Sequence, residues 1–337
     1  MKQVTEPQDV LELMNAGLAA AALNAALELG VFGELKRQPQ SGAELAQTLG
    51  MPLGRCVCWL DVLTELGLLA RADETYAVTP VAQAVILDMR SQSAWALQAE
   101  LCREPYQRGV NLASHLKDSG PVWAAQGRAP LTHYEQVSQQ SDWAERFTRM
   151  IYELHGPLAA ALAETIELND AQRMLDVGGG SGVMSLALLK RNPQLKSVVV
   201  DVANVCRVGR ALADATPEAN RISYHAADFL RDELPSGFDL VLECDIQIYS
   251  DALFRKFHAA LNPSGRLVLI DRWWAQADGR QPAAHALHAF AAALEQPDRR
   301  NFTVAEIQTL SAAAGFEPLA VRTLATGETL IEVMRCA

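Results

Sequence analysis

The alternation of apolar and polar positions divides this chain into a helical N-terminal part and a C-terminal part where strands and helices take turns. Over residues 8–35, apolar side chains recur at helical spacing, among them Val10, Leu11, Leu13, Met14, Leu18, Leu23 and Leu27. That spacing sets them along one helix, ended or bent at Gly30. Ser41-Gly42-Ala43-Glu44 reads as a helix start, with Ser41 as cap and Glu44 reaching back three residues later. A further helix over 55–66 carries Val57, Leu60, Val62, Leu63 and Leu66. Two short runs around a polar turn at Asp73-Glu74 predict a hairpin over 68–80. Three helices followed by a small hairpin make a winged helix.

Residues 90–170 predict helices broken near Gly109, Ser119-Gly120-Pro121 and Gly156-Pro157. Aromatic residues and histidines are interleaved here, including Tyr134, Trp143, Phe147 and His155. Such a connector suits the wall of a pocket for a flat substrate; plain core is the alternative. From Arg173 the period changes. Strands are predicted over 173–177, 196–201, 222–226, 238–244 and 266–271, with helices over 183–190, 205–213, 251–261 and 303–314. Two closing strands follow at 317–323 and 329–335. This predicts an α/β fold: a mostly parallel seven-stranded sheet covered on both faces, with one antiparallel strand at or near its edge.

At about 150 residues per domain, 337 residues suit a small domain joined to a larger one. The expected division is 1–90 for the winged helix, 91–170 for the connector and 171–337 for the α/β domain. Half the residues are hydrophobic, a fifth are charged and the net charge is −11. That acidic balance argues against a nucleic-acid partner. So does the candidate recognition helix, where Arg55-Cys56-Val57-Cys58-Trp59 is followed by Asp61 and Glu65. Residues 1–7 are polar, and Asn15, Asn24 and Glu28 interrupt the apolar helix after them. No signal peptide and no membrane span is expected. The six cysteines are scattered, and Cys56-Val57-Cys58 has no second pair to complete a zinc site. Free thiols in a reducing cytoplasm and no metal are therefore expected.

The chemistry concentrates at Met174-Leu175-Asp176-Val177-Gly178-Gly179-Gly180-Ser181-Gly182. A strand runs into glycines that let backbone approach a ligand, and the next helix begins there with free N–H groups. Asp176 precedes the glycines, where a carboxylate would repel a dinucleotide's pyrophosphate but tolerate a cationic amino-acid tail bearing a sulfonium. This favours S-adenosylmethionine over NAD. Acids recur at the strand ends: Asp176, Asp201, Asp228 and the Glu243/Asp245 pair. Ligands of such sheets bind beyond those ends. Asp201 suits a ribose diol, and Asp228-Phe229 suits adenine, with the acid on the exocyclic amine and the ring stacked on the base. With Gly178, Gly180, Val202, Glu243 and Met150, these residues make up the expected cofactor site.

On these residues the chain resembles the small-molecule S-adenosylmethionine-dependent O-methyltransferases, which include caffeate-type, hydroxyindole and bacterial polyketide enzymes. The matching segments are 175–182, Val200-Asp201, Ala227-Asp228-Phe229, Phe238-Asp239-Leu240, 261–267 and Ala312-Ala313-Ala314-Gly315-Phe316. The winged-helix pattern matches too, so the likeness spans nearly the whole chain. It implies a homodimer in which the N-terminal part lends residues to the partner's pocket. It also puts Phe147 and Met150 near the methionine end of the cofactor, although the family's Phe-x-x-x-Met is Phe-x-x-Met here.

The departure from the family is at the acceptor site. Its members usually carry Leu-His-Asp-Trp after the fourth strand, where the His is the general base, although some that methylate nitrogen lack it. The corresponding run here is Ile246-Gln247-Ile248-Tyr249, which puts Gln247 in the base position. Glu243 stands where a Lys or a small residue is usual. A neutral amide can orient a hydroxyl, an amine or water but cannot accept its proton. Methyl transfer then rests on alignment and desolvation, with an acceptor nitrogen or an already ionised hydroxyl needing no base. Another group could also take over the proton. His155 is one candidate, with a structural or solvent-facing role as its alternative, and the resemblance implies His288 as another, with His285 one turn from it on a neighbouring face. Asp245, two residues before Gln247 along a segment read as extended, either orients a substrate cation or is a solvated loop acid. Trp273-Trp274 reads as pocket wall or as core. The leading expectation is methyl transfer to a small aromatic or heteroaromatic metabolite. The alternatives are non-methylating chemistry with the sulfonium as a fixed charge, and a DNA-binding regulator.

Overall fold

Gly30, with φ +72°, breaks the apolar N-terminal stretch into α1 (Pro7–Leu29) and α2 (Val31–Arg37). The computed structural model describes residues 3–103, 109, 112–126, 131–273, 286–295 and 302–336. They fall into two compact units, Met1–Leu112 and Ala113–Ala337. The expected connector is thus divided between the two.

In the first unit, α1 and α2 are followed by β1 (Gln40–Ser41), α3 (Gly42–Thr48), α4 (Leu53–Glu65), β2 (Leu69–Ala72), β3 (Thr75–Val78) and α5 (Gln92–Leu101). The capping box at Ser41 and Glu44 forms as its sequence requires. The hairpin gains a third strand, β1, paired with β3, which two residues are too few to announce in the sequence. Phe32, Leu45, Leu60, Leu63, Leu69 and Tyr76 close the core of this winged helix. Most of α1 lies outside that core: Leu11, Leu13, Met14 and Leu18 are exposed, Met14 and Leu18 by 76% and 78%. By length and composition α1 is apolar enough to cross a membrane, against the expectation that no such stretch exists. Asn15, Asn24 and Glu28 interrupt it too sparsely to remove it from that class.

The second unit begins its regular core with α6 (His133–Gln139), α7 (Ser141–Leu154) and α8 (Gly156–Thr165). Then come β4 (Arg173–Val177), α9 (Val183–Arg191), β5 (Lys196–Asp201), α10 (Ala203–Ala213), β6 (Ile222–Ala226), β7 (Phe238–Cys244), α11 (Asp251–Ala260) and β8 (Leu261–Asp271). The chain ends with α12 (Ala286–Glu295), α13 (Val304–Ala313), β9 (Phe316–Thr323) and β10 (Thr329–Arg335). The sheet order is β6-β5-β4-β7-β8-β10-β9, with β10 antiparallel to both neighbours and one place in from the edge. Alternate residues serve opposite faces. Leu175, Val177, Val241, Leu267 and Leu269 pack with Phe254 and Phe257 of α11 on one side. Met174, Leu240, Leu242 and Val268 pack with Leu158, Leu162, Leu188 and Leu189 of α8 and α9 on the other. Each face is a continuous apolar run because helices cover both.

β8 starts five residues before its predicted beginning. Asn262-Pro263-Ser264-Gly265 bulges between two paired stretches, with Ser264 in left-handed backbone at φ +61°. Leu261 already pairs with Phe238, and a register shift between Phe238 and Leu240 absorbs the irregular stretch. The strand order reverses between β4 and β7, which leaves a crevice beyond their carboxyl ends.

Candidate active site

The glycine loop is built from below by Asp176. Its side chain leaves β4 on the α9 face and is fully buried, with Oδ2 accepting from the Ser185 hydroxyl at 2.6 Å. Ser185 meets Ser197 at 2.8 Å, so a short polar row runs under the loop. A Cβ on Gly179 would lie 2.4 Å from the Asp176 carboxyl carbon, so only glycine fits there. Among the described residues, Asp176 Oδ1 and Ser181 Oγ are buried without a hydrogen-bond partner. Burial pushes the Asp176 carboxyl up to about 6, against the Ser185 hydrogen bond that lowers it.

Asp201, at the end of β5, fixes the loop from the side. Its Oδ2 accepts from the Gly180 N–H at 3.0 Å and its Oδ1 from the Val202 N–H at 2.7 Å. Burial likewise raises this carboxyl to about 6, with those two N–H groups opposing. Each oxygen keeps acceptor capacity for a further donor. Phe229 lies over Gly178: a Cβ there would be 3.4 Å from its ring and 2.6 Å from Ile246 Cγ2. Gly178 itself holds φ +68°. Asp228 is already engaged, its Oδ1 accepting from the Leu230 N–H at 3.0 Å and its carboxylate meeting the Tyr134 hydroxyl.

A wall of aromatic residues stands beside Val202. Trp143 and Phe147 stack at 6.1 Å, and His133 sits 4.4 Å from Phe147. Trp143 and Phe147 cluster with Val202 and Val205 of the β5–α10 junction. Met150, one turn along α7 from Phe147, is buried. The tie from Tyr134 to Asp228 had no sequence signal, since it joins residues about ninety apart.

The loop after β7 forms the other wall. Glu243 is fully buried, and its Oε1 accepts from the Ile246 N–H at 3.0 Å. Tyr249 donates to Asp271 Oδ2 at 2.5 Å, and its hydroxyl lies 3.4 Å from Glu243 Oε2. Burial first, then the Asp271 charge, raises Glu243 well above the usual carboxylate range. Trp273 is buried 6.2 Å from the Tyr249 ring, and its neighbourhood is core. Trp274 and His285 lie outside the described residues, as does the side chain of His288 on α12.

Asp245 and Gln247 meet, but not along an extended segment. Both take left-handed backbone, with φ +60° and +56°, and the Gln247 amide donates to Asp245 Oδ1 at 2.8 Å. The Glu243 bond to the Ile246 N–H holds the intervening turn and is why the extended reading fails. Asp245 Oδ2 faces His155 Nε2 at 3.6 Å. The structure therefore brings Gln247, Asp245 and His155 into one row, and the glycine loop, Asp201 and Phe229 into a second group. Ile246 against Gly178 joins the two groups.

A nucleoside with an amino-acid tail fits this arrangement. The glycine cradle admits close approach, and Asp201 offers acceptors where a diol would come. Among the described residues Asp176 Oδ1 has no hydrogen-bond partner beneath the loop. Among the described residues no cluster of acids, histidines or cysteines has the makings of a metal site.

Comparison with known proteins agrees with this geometry. The O-methyltransferase domain family matches residues 111–317, and the O-methyltransferase dimerisation domain family matches residues 11–88. The chain is 28% identical over 270 residues to 3-hydroxy-5-methyl-1-naphthoate 3-O-methyltransferase of Streptomyces sahachiroi, covering 79% of this chain and 76% of the relative. It is 26% identical over 281 residues to the N,N-dimethyltransferase OxyT of Streptomyces rimosus, covering 80% and 79%. Its fold matches human N-acetylserotonin methyltransferase, solved in complex with SAM, at a TM-score of 0.82 over the whole of both chains with 19% identity.

Proposed function

Since the chain belongs to the O-methyltransferase family, we propose that it transfers a methyl group from S-adenosylmethionine to oxygen or nitrogen of a small aromatic or heteroaromatic metabolite. It is an S-adenosylmethionine-dependent enzyme, and when bound that cofactor supplies an electrophilic methyl on a sulfonium. One observation carries the reading. Ile246, next to Gln247, packs on Gly178, so the acceptor-side loop and the cofactor loop share a wall. Asp201 would accept from the ribose hydroxyls, Val202, Phe229 and Met150 would exclude water, and Asp176 would complement the cationic tail. Gln247 orients the acceptor but takes no proton, so alignment and desolvation lower the barrier. Relatives that methylate oxygen and nitrogen support leaving both acceptors in view.

The exposed apolar row of α1 and the dimerisation-domain match support a homodimer. Six unpaired cysteines support a reducing, cytoplasmic setting. Gln247 in the base position favours one second reading, in which the sulfonium serves only as a fixed charge for a non-methylating step. Methyl-labelled cofactor, incubated with phenols, N-heterocycles and amines, tests both. Label in the product supports methyl transfer. A substrate consumed while the cofactor stays intact overturns it in favour of the second reading.

A further inference from the structure

Gln247 vacates the base position, yet its amide holds Asp245, and the other oxygen of Asp245 faces a histidine. Resting on the methyl-transfer reading above, we propose that His155, oriented by Asp245, is the proton acceptor for substrates that enter with an un-ionised hydroxyl. The base has moved along the row Gln247–Asp245–His155, from its first member to its last.

Three features of His155 support this. It sits at the junction of α7 and α8, where its backbone caps α8 but its side chain does not, so the ring is not consumed as a helix cap. Asp245 lies 3.6 Å from Nε2, which favours the tautomer with the proton on Nε2 and leaves the Nδ1 lone pair available. Among the described residues the ring has no hydrogen-bond partner that would occupy Nδ1. The charged groups around it are Asp245 on the β7 loop, Glu328 before β10 and Arg272 after β8. Arg272 is itself held by Glu328 at 2.5 Å, so that pair largely cancels and Asp245 remains the partner. Burial keeps the imidazole below its usual range against the pull of Asp245, so it stands neutral at physiological pH.

The step balances as follows. The acceptor O–H gives its proton to His155 Nδ1, and the ring becomes imidazolium beside the Asp245 carboxylate. An oxygen lone pair forms the new bond to the methyl carbon. The carbon–sulfur bond breaks and its electron pair stays on sulfur, leaving a neutral thioether. Afterwards the imidazolium returns the proton to solvent past Asp245, which is 40% exposed.

The test compares wild type, His155→Gln and Asp245→Asn on phenols of graded acidity, with binding of S-adenosylhomocysteine as the check on folding. The expected result is a loss of kcat/KM on the order of a hundredfold for His155→Gln with weakly acidic phenols. The loss should shrink steadily as the phenol becomes acidic enough to arrive ionised. Asp245→Asn should show a smaller loss with the same trend, and, with cofactor saturating, the acidic limb of the acceptor kcat/KM–pH profile should disappear in His155→Gln. An equal loss on all phenols makes His155 structural and overturns the assignment, and no loss on any phenol does the same. If wild type methylates no hydroxyl but does methylate nitrogen, the assignment fails while methyl transfer stands. If wild type transfers no methyl to anything, both fail.

Discussion

Tyr249 and Asp271 share a buried hydrogen bond of 2.5 Å, with the Glu243 carboxyl 3.4 Å from the same hydroxyl. Two carboxyls meet here in the core, with the Tyr249 hydroxyl donating to Asp271 between them. Removing it in Tyr249→Phe leaves Asp271 Oδ2 without that partner, a loss of about 1–3 kcal/mol in urea unfolding. Glu243→Gln should cost less, because the amide brings a donor of its own. The pH dependence has a definite sign. Glu243 is raised in the fold, so the folded chain holds its proton where the unfolded chain has released it. Stability from this site is therefore full at low pH and falls as pH climbs above the ordinary carboxylate range. Glu243→Gln should flatten that part of the stability–pH curve. A curve identical to wild type would place the proton elsewhere.

Gly178 is where the two loops touch. In Gly178→Ala the new methyl would fall 2.6 Å from Ile246 Cγ2, at a φ of +68°. Strain and overpacking together should cost about 1–3 kcal/mol. Because Ile246 must move, the variant should lose cofactor binding and acceptor turnover together. Calorimetric binding of S-adenosylhomocysteine at the wild-type level would show that the loops are not coupled in this way.

Asp201 offers a test of the ribose assignment by pH. A carboxylate accepts from a diol, whereas a protonated carboxyl gives up one acceptor position for a donor. With its carboxyl raised to about 6, affinity for S-adenosylhomocysteine should weaken as pH falls from about 8 through about 6. Asp201→Asn should bind more weakly at every pH and lose that dependence. An unchanged slope in the variant would assign the titration to another group.

The sheet and the glycine loop were legible because local pattern determines them. Alternating strand and helix periods, glycines after a strand and an acid at each strand end need no distant partner. Ser41 and Glu44 were legible for the same reason. The loop after β7 was misread because its conformation is imposed from outside. Asp245 and Gln247 bend into left-handed backbone under the grip of Glu243 on the Ile246 N–H. Nothing in Asp-Ile-Gln encodes that turn. The meeting of His155 with Asp245 joins residues ninety positions apart. The sequence could nominate each, but only the fold makes them a pair.

The exposed row on α1 predicts an assembly surface. Met14 and Leu18 are one turn apart and mostly uncovered within the chain. A charge there should leave the winged-helix core of Phe32, Leu60 and Leu63 untouched. Leu18→Glu should shift the protein from dimer to monomer in light scattering, with little change in the unfolding midpoint of the α/β unit. A dimer that persists at low micromolar concentration would move the interface elsewhere.

Position 247 supplies the reverse test of the relocated base. Histidine is among the residues that tolerate left-handed backbone, so Gln247→His should keep the loop turned as it is. The new imidazole would stand next to Asp245, which already holds the amide of Gln247 at 2.8 Å. Two imidazoles would then flank one carboxylate. In an otherwise wild-type chain, the gain on weakly acidic phenols should be small, because His155 already serves. In His155→Gln, the same change should recover at least about tenfold of the lost kcat/KM. Ionised phenols should gain little in either background. If the double variant recovers nothing while still binding S-adenosylhomocysteine, position 247 does not face the acceptor oxygen, and Gln247 is a support for Asp245 alone.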